Sequence, residues 1–172
     1  YVRDQKDLFA RVCGYFDSRS LSILDAKIHT TRHGYALDSF LVTDHGRTEY
    51  RQLLSQIHKQ LTDWIEAVTP LPPPVKGRLS RHSRHFPVAP NVTIAPSERG
   101  RQHLLAITTT DRIGLLYSIT RVLATHDVNV HTAKINTLGE RVEDVFLIDG
   151  AMVDDERSQA QLERDLLEAI SP

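Results

Sequence analysis

The stretch from Thr109 to Leu116 holds the residues best suited to chemistry in this chain. A β-prone run ends in Thr110-Asp111-Arg112, and a helical pattern then opens with Gly114 in its first turn. Glycine costs about 1 kcal/mol against alanine inside a helix, so its presence there calls for a reason. Free N–H groups at a helix N-terminus are suited to holding a carboxylate, and glycine permits close approach. Alternatively, Asp111 only caps the helix and Gly114 relieves packing against a strand.

Other residues with chemical potential have simpler interpretations. His126-Asp127 matches a metal-binding dipeptide of hydrolases, but it lies at a predicted helix end and a metal needs further converging ligands. The basic cluster at residues 81–85 could bind phosphate or metal, but a solvated linker is the preferred explanation. Cys13 and Trp64 fall on apolar helix faces, which is typical of buried packing residues. We therefore predict no metal site and no catalytic residue.

An internal repeat organises the chain. Residues 4–30 align with residues 111–137 at a constant offset of 107, which places Asp4 on Asp111. The offset falls to 106 after a turn, so that Asp38 aligns with Asp144. A period of this length indicates two copies of one small domain rather than a solenoid. We predict a first domain at 1–70, a Pro-rich basic linker at 71–90 and a second domain at 91–172.

Hydrophobic periodicity predicts the elements of each copy. The second copy has a strand at 104–109, a helix from Ile113, two hairpin strands at 128–135 and 142–148, and a last helix after Asp154. A final strand is not resolved by the pattern. The first copy repeats this order, with residues 1–3 as the tail of a first strand and a second helix at 48–68.

Composition narrows the classes of function. The chain has 172 residues, 40% of them hydrophobic and 25% charged, and its net charge of −1 argues against nucleic-acid or anionic-membrane partners. No apolar run approaches the roughly 20 residues of a membrane span. The single cysteine excludes an internal disulfide, which fits a reducing cytoplasm. A start at Tyr1 in mid-pattern predicts a fragment of a longer protein.

Two sequence motifs carry a family resemblance. Asp-Arg-Ile-Gly-Leu-Leu at 111–116 and Asp-Val-Asn-Val at 127–130 resemble the ACT domain, a small-molecule effector module. The hairpins at 26–40 and 135–148 more closely resemble the tandem C-terminal ACT domains of bacterial bifunctional uridylyltransferase/uridylyl-removing enzymes, with residues 139–144 the most specific. The resemblance spans essentially the whole chain. It implies an α+β fold of two ferredoxin-like (βαββαβ) ACT domains in tandem, the first truncated at its first strand.

The resemblance implies a sensor rather than a catalyst. In that family the tandem ACT region is taken to bind glutamine and to shift the distant catalytic domains from UMP transfer to UMP removal. Expected partners are glutamine, the nitrogen-regulatory protein PII through the whole enzyme, and another ACT domain of the same or a second chain. No cofactor is implied within this chain, and Mg²⁺ is implied at the catalytic domains elsewhere in the enzyme.

The resemblance also implies where the ligand lies. An amino acid is expected between the loop at 110–115 and the start of the next strand, where Asn129 offers both a donor and an acceptor. The predicted binding residues are Thr110, Asp111, Arg112, Ile113, Gly114, Leu115, Asn129 and Val130. A weaker site in the first copy comprises Asp4, Gln5, Asp7, Leu8 and Ser22. Asp7 replaces the glycine, and its side chain would crowd a ligand and repel a carboxylate. Either the first copy binds through contacts to the ligand's ammonium group, or it is a structural partner, so the second copy is expected to be the stronger site.

A structural role is the alternative function. The repeats would dock side by side, or between chains, and scaffold the enzyme without a ligand, covering exposed sheet edges. A ligand loop filled by side chains, or an absence of amino-acid binding, would favour this alternative. A stand-alone amino-acid-binding protein is a third option.

Overall fold

The computed structural model describes residues 2–3, 5, 7–29, 31, 33–43, 50–67, 69–74, 88–98 and 100–171, without the side chains of residues 50–53. The elements of the first repeat are β1 Val2–Arg3, α1 Leu8–Ser18, β2 Ser22–Lys27, β3 Tyr35–Ala36, β4 Ser39–Thr43 and α2 Tyr50–Glu66. Those of the second are β5 Asn91–Pro96, β6 His103–Thr110, α3 Leu115–Thr125, β7 Asn129–Lys134, β8 Thr137–Leu138, β9 Arg141–Asp149, α4 Ala151–Asp154 and α5 Glu156–Ile170. The predicted α+β class is confirmed.

One antiparallel sheet runs through both repeats in the order β4-β2-β7-β9-β6-β5, with β8 paired to β9. Strands β1 and β3 form a separate two-stranded sheet. The edge strand β5 pairs with β6 over six residues, and Val92 and Ile94 point into the core. Within the described residues no strand follows α5, so the second repeat differs from the expected βαββαβ order. The edge position is taken by β5, which comes before β6 in the chain.

The backbone reproduces the sequence repeat in detail. Helices α1 and α3 match at the offset of 107 from first to last residue, and so do β2 and β7. A bulge interrupts the register between Ile23 and Asp25 in one copy and between Val130 and Thr132 in the other. A β-bulge is a specific local feature, so its recurrence at the same offset shows that two copies share one local design.

The repeats meet about a pseudo-twofold axis. Lys27 pairs with Lys134 where β2 meets β7, and these two residues are equivalent under the repeat. The side chain of Cys13 lies beside that of Thr120, which is the counterpart of Cys13 under the repeat. Helices α1 and α3, which carry this second pair, pack against each other. When equivalent residues meet each other, an approximate twofold axis passes between them.

Gly14 of α1 provides the space in which Tyr117 of α3 packs. A Cβ built on Gly14 would lie 2.8 Å from Cε2 of the Tyr117 ring. The Tyr117 hydroxyl donates a hydrogen bond of 2.6 Å to the carbonyl of Pro72 in the linker. Burial raises the pKa of Tyr117 to about 12. The ring therefore connects α1, α3 and the linker in one contact.

The core is shared between the repeats. Phe9, Cys13, Ala26 and Ile28 of the first repeat are buried in the same apolar cluster as the interior of the second. A smaller cluster around Tyr15 and Phe16 lies between α1 and α2. Trp64 packs against it and donates from Nε1 to the Arg11 carbonyl at 3.0 Å. The prediction that Cys13 is buried is confirmed, and burial raises the pKa of its thiol.

The linker contacts both repeats where it is described. Arg11 Nη1 donates to the Thr69 carbonyl, just before the linker, at 2.7 Å, and Leu71 of the linker packs on the shared core. At the far end, the Val88 amide donates to Thr110 Oγ1 at 2.9 Å. The basic cluster at 81–85 lies outside the described residues, and the predicted domain boundaries stay a prediction. No helix among the described residues is long and apolar enough to cross a membrane.

Replacing Gly14 with alanine tests the contact between the helices. Alanine favours a helix interior over glycine by about 1 kcal/mol, but here the new methyl group meets the Tyr117 ring. We expect Gly14→Ala to lower the free energy of unfolding by about 1–3 kcal/mol, the usual cost of overpacking, measured by chemical denaturation. In a Tyr117→Ala background the same substitution should stabilise the chain. Stabilisation in both backgrounds would contradict the packing described here.

Candidate functional site

Two clefts lie where the repeats meet. The first, called the wide cleft, has a volume of about 510 Å³ and is lined by residues 5 and 7–10 of the first repeat and 127–131 of the second, among others. The second, called the narrow cleft, has a volume of about 40 Å³ and is lined mainly by residues 111–117 of the second repeat and 21–23 of the first. The two sets are equivalent under the repeat, so these are two versions of one cleft.

Each cleft takes its helix start from one repeat and its strand start from the other. Asn129 and Val130 therefore lie with Gln5, Asp7 and Leu8 in the wide cleft. Ser22 lies in the narrow cleft with the predicted second-repeat loop residues Asp111, Arg112, Ile113, Gly114 and Leu115. This grouping differs from the expectation that each site draws on a single repeat. The twofold docking of α1 on α3 is the reason, because it sets each helix start beside the opposite repeat's strand.

Two predicted site residues are not among the residues that line the wide or the narrow cleft. Thr110 is buried, and its Oγ1 accepts a hydrogen bond from the Val88 amide at 2.9 Å, which holds the end of the linker against β6. Asp4 lies outside the described residues. Asp111 does not cap α3, because the residue at the N-cap position is Gly114; the Asp111 amide donates to the Glu140 carbonyl at 2.8 Å.

Backbone conformation accounts for Gly114 and for its replacement by Asp7. Both residues occupy the N-cap position of their helix in the left-handed region, with φ of 77° and 60°. Glycine adopts this region freely, and aspartate is among the few other residues that tolerate it. Neither N-cap residue makes a side-chain capping bond. The first-turn amides of α1 and α3, which have no acceptor within their helix, therefore belong to residues that line the clefts.

Three exchanges of side chain explain why one cleft is wide and the other narrow. The wide cleft has Ala10, Ala124 and Gln5 where the narrow cleft has Tyr117, Asp17 and Arg112. Arg112 Nη2 donates to the Ala169 carbonyl at 2.6 Å at the end of α5. Its burial lowers the pKa of the guanidinium, and the nearby charge of Asp17 opposes that shift. Larger side chains from both repeats thus fill the narrow cleft.

The wide cleft has an acidic lining and one ordered polar cluster at its rim. Asp7, Asp38 and Asp127 contribute to the lining. Asn129 Nδ2 donates to Asp149 Oδ1 at 2.9 Å, and His131 Nε2 lies 2.6 Å from Asp149 Oδ2. Partial burial pushes the pKa of Asp149 upward, but the hydrogen bonds from these two side chains outweigh it and hold that pKa below its ordinary value.

The narrow cleft contains a buried carboxyl group. Asp144 is 1% exposed, and its Oδ1 accepts from the backbone N–H of Asn136 at 3.1 Å. Burial raises the pKa of Asp144 to about 7; the hydrogen bond from Asn136 works against this rise and the charge of Asp111 adds to it. In the first repeat, Asp38 accepts from the His29 amide at 3.3 Å in the equivalent way. In the sequence, the alignment of the two repeats had already placed Asp38 on Asp144.

Metal binding has no support within the described part of the chain. No group of three or more His, Cys, Asp or Glu side chains there could hold a metal ion. His126 Nε2 lies 2.7 Å from Asp165 Oδ2, so this histidine connects the end of α3 to α5.

His131, Asp149, Asp38 and Asp127 are residues of the wide cleft and its rim that the sequence analysis did not predict. Pairing of β7 with β9 brings His131 to Asp149, and docking of the repeats adds Asp38 of the first repeat to the lining that holds Asp127.

Comparison with known proteins gives matches among curated sequences. The chain is 58% identical over 175 residues to a protein of Cupriavidus pinatubonensis, 55% over 172 to one of Burkholderia vietnamiensis and 54% over 177 to one of Ralstonia nicotianae. All three are named bifunctional uridylyltransferase/uridylyl-removing enzyme. Each match covers 99% of this chain, yet the chain spans only about a fifth of the length of these relatives. No family model and no solved structure matches the chain.

Titration of Asp144 should appear as a pH dependence of stability. Because its folded pKa lies above the unfolded value of about 3.9, the folded state binds more protons between these values and stability falls as pH rises. We expect wild type to lose stability relative to Asp144→Asn from about pH 4 to about pH 7 and to level off above. Urea denaturation across pH 4–8 measures this difference.

Asp155→Asn is the matched control for that series. Hydrogen bonds from Ser158 at the start of α5 lower the pKa of Asp155. The stability contributed by the ionised Asp155 carboxylate is therefore lost only as pH falls below the ordinary pKa of aspartate. Its difference from wild type should change little between pH 5 and pH 8. A pH-independent difference for Asp144→Asn as well would show that Asp144 ionises like an exposed carboxyl.

Proposed function

We propose that this chain is the amino-acid sensing part of a bifunctional uridylyltransferase/uridylyl-removing enzyme, and that glutamine binds in the wide cleft. In this proposal the two repeats are tandem ACT domains. The observation that carries it is the wide cleft itself, a space of about 510 Å³ between the repeats with an uncapped helix start on one side and Asn129 on the other. The curated relatives supply the kind of enzyme to which such a sensor would belong.

The size and polarity of the wide cleft suit a small amino acid. Its volume lies within the roughly 300–1,000 Å³ of typical small-molecule pockets. The first-turn amides of α1, at residues such as Phe9 and Ala10, would hold the α-carboxylate at the positive end of the helix dipole. The carboxylates of Asp7, Asp38 and Asp127 would favour the α-ammonium group. Asn129 offers a further hydrogen-bonding group to the ligand.

This assignment places the stronger site differently from the sequence-based expectation. That expectation favoured the second-repeat loop, with Gly114, because Asp7 would crowd a ligand in the first. Here the first-repeat loop forms the wide cleft and Arg112 and Tyr117 occupy space in the narrow one. We propose the wide cleft as the single glutamine site of the chain.

Regulation would follow from a ligand that touches both repeats. Such a ligand stabilises the arrangement in which α1 and β7 stand at the right separation, and it shifts an equilibrium only by its differential affinity for the two states. In the whole enzyme this shift would favour UMP removal from PII over UMP transfer to it. The catalytic domains, their Mg²⁺ and the contact with PII all belong to the rest of that enzyme in this proposal.

A scaffolding role is a second candidate, and one observation favours it. Side chains fill the narrow cleft, with Arg112 donating to the end of α5 and Tyr117 to the linker. A filled cleft is suited to holding two repeats together rather than to binding a ligand. We propose docking as the role of the narrow cleft.

Calorimetric titration with glutamine tests the proposal. We expect saturable binding with one ligand per chain, and a loss of about tenfold in affinity for Asn129→Ala, about the value of one good hydrogen bond. Ala10→Tyr, which copies the side chain of Tyr117 into the wide cleft, should abolish binding. No heat of binding at millimolar glutamine with the folded chain would refute the sensing function.

Ser22→Ala is the matched control, because Ser22 is the counterpart of Asn129 in the narrow cleft. It should leave glutamine affinity within twofold of wild type. Two ligands per chain, or equal losses for Ser22→Ala and Asn129→Ala, would show that the narrow cleft also binds.

A further inference from the structure

We infer that Asp149 and His131 set the amide of Asn129 so that the wide cleft accepts a ligand bearing a neutral amide and disfavours one bearing a second carboxylate. Asp149 does not line the cleft, so it acts as a positioning residue through Asn129. This inference rests on the proposed function and deepens it, because it identifies what distinguishes glutamine from glutamate.

The orientation of the Asn129 amide follows from the chemistry of its partner. An ionised carboxylate offers only acceptors, so the amide must turn Nδ2 toward Asp149 Oδ1, at 2.9 Å. The lowered pKa of Asp149, in which hydrogen bonds overcome the opposing effect of burial, keeps that carboxyl ionised at neutral pH. Asn129 Oδ1 then points away from Asp149, and no donor among the described residues occupies it. The cleft is left with an acceptor at this position.

His131 fixes the other half of the carboxylate. Its Nε2 lies 2.6 Å from Asp149 Oδ2, so each oxygen of Asp149 has a separate partner. Asn129 and Asp149 are directly opposed in the β7–β9 register, and His131 lies in the β7 bulge between Val130 and Thr132. With both oxygens engaged, the carboxylate has little freedom to rotate, and the Asn129 amide keeps one orientation.

The first repeat lacks this arrangement. Ser22, Leu24 and Thr43 stand where the second repeat has Asn129, His131 and Asp149, and Ser22 pairs with Thr43 in the same register. Neither Leu24 nor Thr43 can replace a histidine–carboxylate pair. The narrow cleft, which receives Ser22, therefore has neither the space nor the positioned amide.

An acceptor in an acidic cleft discriminates between glutamine and glutamate. A glutamine side-chain amide can donate an N–H to Asn129 Oδ1, whereas a glutamate carboxylate presents only acceptors to it. Asp7, Asp38 and Asp127 in the lining add repulsion to a second negative charge. A site that leaves such a polar group unpaired with the wrong ligand discriminates strongly against it.

The test compares glutamine and glutamate affinity by calorimetry in wild type and in Asp149→Asn. An asparagine at 149 offers both a donor and an acceptor, so the Asn129 amide loses its single orientation. We expect glutamine affinity to fall about tenfold while glutamate affinity stays the same or rises. The ratio of the glutamate dissociation constant to the glutamine dissociation constant should therefore fall by tenfold or more. His131→Leu, which copies Leu24, should lower the ratio to a smaller extent. Glu143→Gln, an exposed change on the same strand, should leave the ratio unchanged.

A double-mutant cycle shows whether Asp149 acts through Asn129. In an Asn129→Ser background, Asp149→Asn should cause no further change in the ratio, because the amide that it positions is gone. Equal losses of glutamine and glutamate affinity in Asp149→Asn, or a full effect in the Asn129→Ser background, would overturn the inference and leave the sensing function standing. Failure of wild type to bind glutamine would instead overturn the function itself, and this inference with it.

Discussion

The contact between α1 and α3 about the pseudo-twofold axis is the constraint on which the rest of the structure depends. Cys13 meets Thr120 and Lys27 pairs with Lys134, so equivalent residues face each other in the helix layer and in the sheet. This docking merges the two interiors into one apolar cluster. Small domains bury too little surface to be robust alone, and a shared interior offsets that deficit. It also creates both clefts, since neither repeat has one by itself.

Near-symmetry with a few exchanged side chains gives the two clefts different properties. Where the second repeat places Tyr117 and Arg112, the space is filled, and these side chains bond to the linker and to α5. Where the first repeat places Ala10 and Gln5, the same geometry leaves a cleft of about 510 Å³. One interface thus contributes packing while its symmetry mate keeps room for a small molecule. A duplicated domain can separate stability from binding in this way without changing its backbone.

Features that depend on local pattern were predictable, and those that depend on docking were not. The periodic apolar residues and the constant offset predict α1 and α3 at matching positions, and both are found there. The sequence predicted Gly114 and Asn129 in a single site. They line different clefts, because the helix start of each repeat faces the strand of the other. Strand β5 pairs with β6 at the edge of the sheet, and that pairing is a matter of tertiary structure. The role of Asp149 likewise appears only once β7 and β9 are paired.

In the proposed function, the location of the wide cleft is what couples ligand binding to conformation. A ligand held by α1 on one side and by Asn129 on the other gains its full binding energy only at one relative placement of the repeats. A ligand held within one repeat would have equal affinity for every placement and would shift no equilibrium. The tight packing of Tyr117 against Gly14 limits how far α1 can move relative to α3. In the proposed function this contact therefore restricts how the repeats can rearrange around a ligand, and the hydrogen bond from Tyr117 to the Pro72 carbonyl joins the linker to the same contact.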